Sequence, residues 1–95
     1  MKLLLLLSFI LVSCQTIPPP LKDYTLARAA IFYAGTVGAS SKSPGNWHKA
    51  EDFFRRGELK YNQKEYEEAK RYFVLARKYA EKAENVAILK YEAGG

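Results

Sequence analysis

The stretch YEEAKRYFVLARKYAEKAENVA, residues 66–87, decides the fold. Within it Tyr66, Ala69, Phe73, Ala76, Ala80, Ala83 and Ala87 recur at alternating spacings of three and four, which places them on one face of an α-helix. Glu65, Glu67 and Glu68 crowd the first turn, where the helix dipole favours anions. The spacing predicts a helix over about residues 65–92. So much alanine along one seam lets a neighbouring helix approach to the lower end of the usual separation of about 8–10 Å.

Working outward, the neighbour is the segment of about 44–61. It starts at Ser43-Pro44, an N-cap residue followed by proline at the first helical position, where the missing N–H leaves nothing unpaired. Its stripe is Trp47, Ala50, Phe54, Gly57 and Tyr61, widened by Phe53, and Ala50 and Gly57 leave room for the alanine seam. A first helix is expected over about 21–38, with Tyr24, Ala27, Ile31, Ala34 and Gly38 on one side. It closes in Gly38 and a small polar loop, residues 39–43. A second stripe on the long helix, Tyr72, Leu75, Tyr79 and Val86, either receives the first helix or stands open to a partner. The expected architecture is a small all-α domain over 21–95, a three-helix bundle or an antiparallel hairpin with a flanking first helix.

The amino-terminal residues read differently. Lys2 precedes an apolar run, Leu3 to Val12, that is shorter than the roughly 20 residues a spanning helix needs, which is the layout of a secretory signal peptide over residues 1–13. Leu11, Val12, Ser13 and Cys14 resemble the lipobox of bacterial lipoproteins. The resemblance implies a thioether lipid on Cys14, cleavage before it, and fatty acylation (palmitate) of the new amino terminus. Several acyl chains hold a protein durably where one holds it only marginally. Cys14 is the single cysteine of the 95 residues, so lipidation leaves none for a disulfide. Gln15 stands where an aspartate would favour retention in the inner membrane, so the resemblance implies the outer membrane, facing the periplasm. Residues 14–20 end in Pro18, Pro19 and Pro20 and form a semi-rigid tether reaching roughly 20 Å.

Two resemblances cover the helices. The pair joined by residues 61–66 is similar to a single tetratricopeptide hairpin at Gly57, Tyr66, Ala69, Phe73 and Ala76, and departs from it at Arg56, Lys60 and Glu81. Stacked repeats need about three copies, so a repeat domain is not expected. Nearly the whole chain resembles the small bacterial lipoproteins that carry domain of unknown function 4398. Ala27, Ala30, Ile31, Ala34, Gly38 and Ala39 match its first helix, Pro44, Trp47, Ala50 and Glu51 its second, and Tyr66, Ala69, Ala76, Ala80 and Ala83 its third. That family brings no catalytic residues with it.

The chemistry-bearing residues are sparse, and no catalytic, metal or cofactor site is expected. His48 has Asp52 one turn away as its only placed partner, and two ligands do not hold a metal. Ser40, Ser41 and Ser43 precede His48 without a nucleophile turn or a group to orient the imidazole, so they read as loop and cap residues. Removing residues 1–13 takes away Lys2 and leaves a net charge of +4. Arg71, Arg77, Lys78 and Lys82 alternate with Tyr72 and Tyr79, a pattern found in nucleic-acid binders, but a periplasmic face meets no nucleic acid. The expected function is therefore a membrane-anchored, non-enzymatic scaffold that meets a protein partner or a second copy of itself. The alternative is a basic-face binder of anionic lipid or cell-wall polymer. Val86, Ile88, Leu89 and Tyr91, beyond the reach of the second helix, are the candidate partner surface.

Overall fold

The computed structural model describes residues 17–94 and contains four helices: α1 (Leu21–Thr36), α2 (Ala39–Lys42), α3 (Pro44–Asn62) and α4 (Tyr66–Gly94). Cys14 and the expected signal-peptide junction lie outside the described residues. The three prolines set where α1 begins. They have no N–H to donate, while the carbonyl of Pro20 accepts the Tyr24 N–H at 3.0 Å and opens the first turn.

The first helix ends two residues earlier than expected, and the polar loop is in part helical. Gly38 adopts φ 76°, the left-handed conformation that terminates a helix. The chain then turns once more as α2, which buries Ala39 among Ala34, Ala83 and Ala87. Ser43 does precede α3, but its hydroxyl accepts from Asn46 Nδ2 at 3.1 Å and no backbone N–H is capped by it.

All three long helices meet along the alanine seam in three levels. At the end where α1 begins, Ala27 of α1 packs with Ala69, Phe73 and Ala76 of α4. In the middle Ala30, Ala50 and Ala80 meet, and at the far end Ala34 and Ala39 pack with Ala83 and Ala87. Hence α1 runs parallel to α4 and α3 antiparallel to both. The seam faces α1 as well as α3, which corrects the expectation that the stripe of Tyr72, Leu75, Tyr79 and Val86 receives the first helix. That stripe lies beside α3 instead, where Phe53 stacks with Tyr72 at 6.1 Å and with Tyr79 at 5.6 Å between ring centroids. Alanines on α1 fit closely against alanines on α4, whereas a tyrosine stripe would hold the helix off.

Phe73 is the one large side chain fully buried among the described residues. Its ring meets Tyr24 and Phe54 at 5.4 and 5.6 Å and lies against the backbone of Gly57. The connection from α3 to α4 is a Schellman turn. Glu65 N–H reaches the Lys60 carbonyl at 2.9 Å and Lys64 N–H the Tyr61 carbonyl at 3.0 Å, with Lys64 itself at φ 62°.

Two predictions follow from this geometry. A Cβ on Gly57 would stand 2.6 Å from two ring atoms of Phe73, while one on Gly45 would meet nothing within 4 Å. Gly57→Ala should therefore destabilise the bundle by about 1–2 kcal/mol, because overpacking outweighs the gain in helix propensity, whereas Gly45→Ala should stabilise it by roughly 0.5–1 kcal/mol. Urea unfolding of the two variants checks the opposite signs. Lys64→Gly should relieve the left-handed lysine and raise the melting temperature by a few degrees, for a gain of about 0.5–1 kcal/mol. An unchanged or lower melting temperature would count against strain at that turn.

Candidate interaction surface

The end of the bundle away from the start of α1 holds a concavity. Here α4 continues beyond the first turn of α3, and the chain between α1 and α3 folds back toward it. Lys90 Nζ donates to the Lys42 carbonyl at 2.6 Å, and Lys42 Nζ lies 5.0 Å from the centre of the Tyr91 ring. Beside this clasp is a groove of about 540 Å³ lined by Thr36, Val37, Gly38, Lys42, Ala87, Ile88, Tyr91 and Glu92. Its lining is largely apolar, with Lys42 and Glu92 at its edge.

The structure divides the four residues expected at a partner surface into two pairs. Ile88 and Tyr91, three apart on one side of α4, line the groove, and Tyr91 is 67% exposed. Val86 and Leu89 share the other side. Val86 is half-buried and Leu89 is 63% exposed, and neither reaches the groove. Sequence reasoning missed Thr36, Val37 and Lys42, because residues 39–43 read as a plain loop. The signal was Gly38: a left-handed stop there sends the chain back toward α4.

No catalytic constellation forms from the other residues considered. His48 is exposed, and its Nδ1 lies 3.9 Å from Glu51, not beside Asp52 as expected. Asp52 is held by Arg56 at 3.0 Å. Ser41 Oγ bonds the Gly38 carbonyl at 3.2 Å, and Ser43 is engaged by Asn46, so neither serine is bonded to the imidazole. Among the described residues no group of three or more His, Cys, Asp and Glu gathers as a metal site.

The charged residues sort into paired and unpaired sets. Arg77 pairs with Glu81 at 2.8 Å, and Lys60 bridges Glu65 at 2.9 Å and Glu68 at 3.3 Å across the α3–α4 turn. The hydrogen bond that Lys60 donates to Glu65, then that to Glu68, raises the Lys60 amine above its ordinary value of 10.5. Lys49 and Lys82 have no such partner among the described residues, and each lies 5.3 Å from the centre of the Tyr79 ring.

This is a small all-α bundle with a three-level alanine core, a short helical turn closing one end, and no helix among the described residues long and apolar enough to cross a membrane. The chain belongs to the family defined by the domain of unknown function DUF4398, whose model matches residues 22–92. The match reaches all three long helices, as the sequence resemblance implied, and begins after the prolines, so it does not extend to the lipobox-like residues. No curated protein and no solved structure matches the chain.

The Lys60 bridge has a pH signature. A raised folded-state value means that its stabilisation is complete below 10.5, the unfolded value, and is lost as pH rises through the raised folded value. The difference in stability between the parent and Lys60→Met should therefore be constant from neutral pH to about 10 and shrink above 10.5. Denaturant midpoints at neutral pH and well above 10.5 test this, and a difference undiminished at the higher pH would contradict the bridge.

Proposed function

We propose that the protein is a lipid-anchored protein of the bacterial envelope, held through Cys14 at the periplasmic face of the outer membrane, and that its bundle is a non-enzymatic adaptor. The observation that carries this reading is the placement of the groove at the end opposite the tether. The chain enters at Leu21, beside the Tyr61–Tyr66 turn, and the groove opens where α1 ends, about 24 Å away along the helix. A lipid on Cys14 would hold the first end near the bilayer, and the groove would face outward, where a partner segment could lay an apolar side chain between Ile88, Tyr91 and Val37. What supports an adaptor over an enzyme is the chemistry of that groove. It offers a largely apolar floor with Lys42 and Glu92 in its lining, the composition of a docking site.

Two measurements test the two halves. With Cys14→Ser, incorporation of labelled fatty acid should cease, and continued incorporation would remove the anchor. With the anchor intact, Ile88→Asp combined with Tyr91→Ala should abolish recovery of the proteins that co-purify with the parent from envelope extracts. Leu89→Asp, outside the groove, should leave recovery unchanged. Identical recovery with all three forms would rule out the groove as the docking site.

A further inference from the structure

A second surface lies along the flank of the bundle where α3 meets α4. Phe53 stacks between Tyr72 and Tyr79, with interplanar angles of 26° and 25°, and the three half-buried rings form a row across the two helices. Lys49 from α3 and Lys82 from α4 both place their amines 5.3 Å from the Tyr79 ring centre, one from each helix. Arg71 and Lys78, seven residues apart and so in register on α4, extend the same side. These four cations are exposed and make no ion pair among the described residues. Arg77 does not belong to the set. It sits about 100° around the helix from Lys78 and is neutralised by Glu81. Glu68, one turn before Tyr72 on α4, is held by Lys60.

We propose that this flank docks on an anionic lipid surface. Charge complementarity calls for an anion, and the shape favours a bilayer over a linear polymer. The cations frame a broad face spanning two helices, not a cleft, and Leu89, 63% exposed, continues that side with an apolar residue able to enter the headgroup layer. Aromatic rings beside lysines suit such an interface, because each ring has an apolar body and the long side chains reach outward to phosphate. The choice of lipid as the anion also rests on the Cys14 anchor proposed above, which keeps the flank within roughly 20 Å of headgroups. Each basic side chain at an anionic surface contributes roughly a fivefold gain in affinity, so four act together as a useful second attachment.

The test uses the full chain, purified as the cell processes it. It is added to vesicles of neutral phosphatidylcholine and to vesicles in which about a third of the lipid is phosphatidylglycerol. Amine acetylation at each lysine is read by mass spectrometry. On the anionic vesicles Lys49, Lys78 and Lys82 should label about threefold or more slowly than on neutral ones, Lys70 should not change, and salt of about 0.5 M should remove the protection. In Lys78→Glu with Lys82→Glu, exposed changes whose fold is checked by circular dichroism, the protection of Lys49 should disappear. Equal labelling on both vesicle types, or protection that includes Lys70, would overturn the proposal. Protection by the soluble polyanion heparin with none on anionic vesicles would assign the face to a polymer instead. Flotation with neutral vesicles reports the anchor separately. If flotation fails while the three lysines stay protected on anionic vesicles, the anchor reading falls and the lipid-facing flank stands.

Discussion

A Cβ on Gly57 would stand 2.6 Å from the ring of Phe73, so the ring occupies the space a side chain would take, and α3 and α4 meet ring to backbone. That contact sets the separation of the two helices near the tether end, and the rest of the core follows from it. With the helix axes this close, the positions further along α4 can hold only alanine, and Ala76, Ala80, Ala83 and Ala87 are all fully buried. The same tightness selects Ala50 on α3 and Ala27, Ala30 and Ala34 on α1. A larger residue at any of these would lift one helix off the other two.

The result is a tapered core. Tyr24, Phe54, Tyr61, Tyr66 and Phe73 surround one another at the tether end, whereas the open end is closed by alanines, the half-buried Trp47 and the clasp of Lys42 on Lys90 and Tyr91. Burial scales with apolar area, and a methyl contributes far less than a ring. The open end therefore separates at lower cost than the aromatic end, as regions with little buried apolar area do. A groove placed there can adjust to a ligand without disturbing the contact of Phe73 with Gly57.

How much of this was legible depends on how local each determinant is. The three long helices were readable because their periodicity is carried by the helices themselves, and Gly38 was readable as a stop because glycine favours the left-handed conformation found there. The Schellman turn at Lys64 carried no such mark, since the bond from Glu65 to the Lys60 carbonyl places a lysine at φ 62° where glycine would be the usual choice. The side of α4 that α1 takes was also hidden. With Phe53 of α3 against Tyr72 and Tyr79 of α4, α1 takes the alanine seam, which is a relation among three helices and leaves no trace in the spacing of any one. For the same reason the groove was half legible. Ile88 and Tyr91 could be reached by comparing helix lengths, but Val37 and Lys42 arrive only through the turn at Gly38.

The proposed anchor and the two surfaces constrain one another through geometry. The groove lies at the end of the long axis and the basic flank along its side, so a bundle resting on lipid through Lys49, Lys78 and Lys82 points the groove along the membrane, while an upright bundle points it away. A tether of roughly 20 Å permits both postures. The balance between them is electrostatic on one side only, because the groove is largely apolar and the flank is not. Screening at high ionic strength weakens the flank and leaves apolar docking in the groove nearly untouched. On this reading, ionic strength and the anionic lipid content of the leaflet decide which way the groove faces, without any change in the fold that Phe73 and Gly57 hold in place.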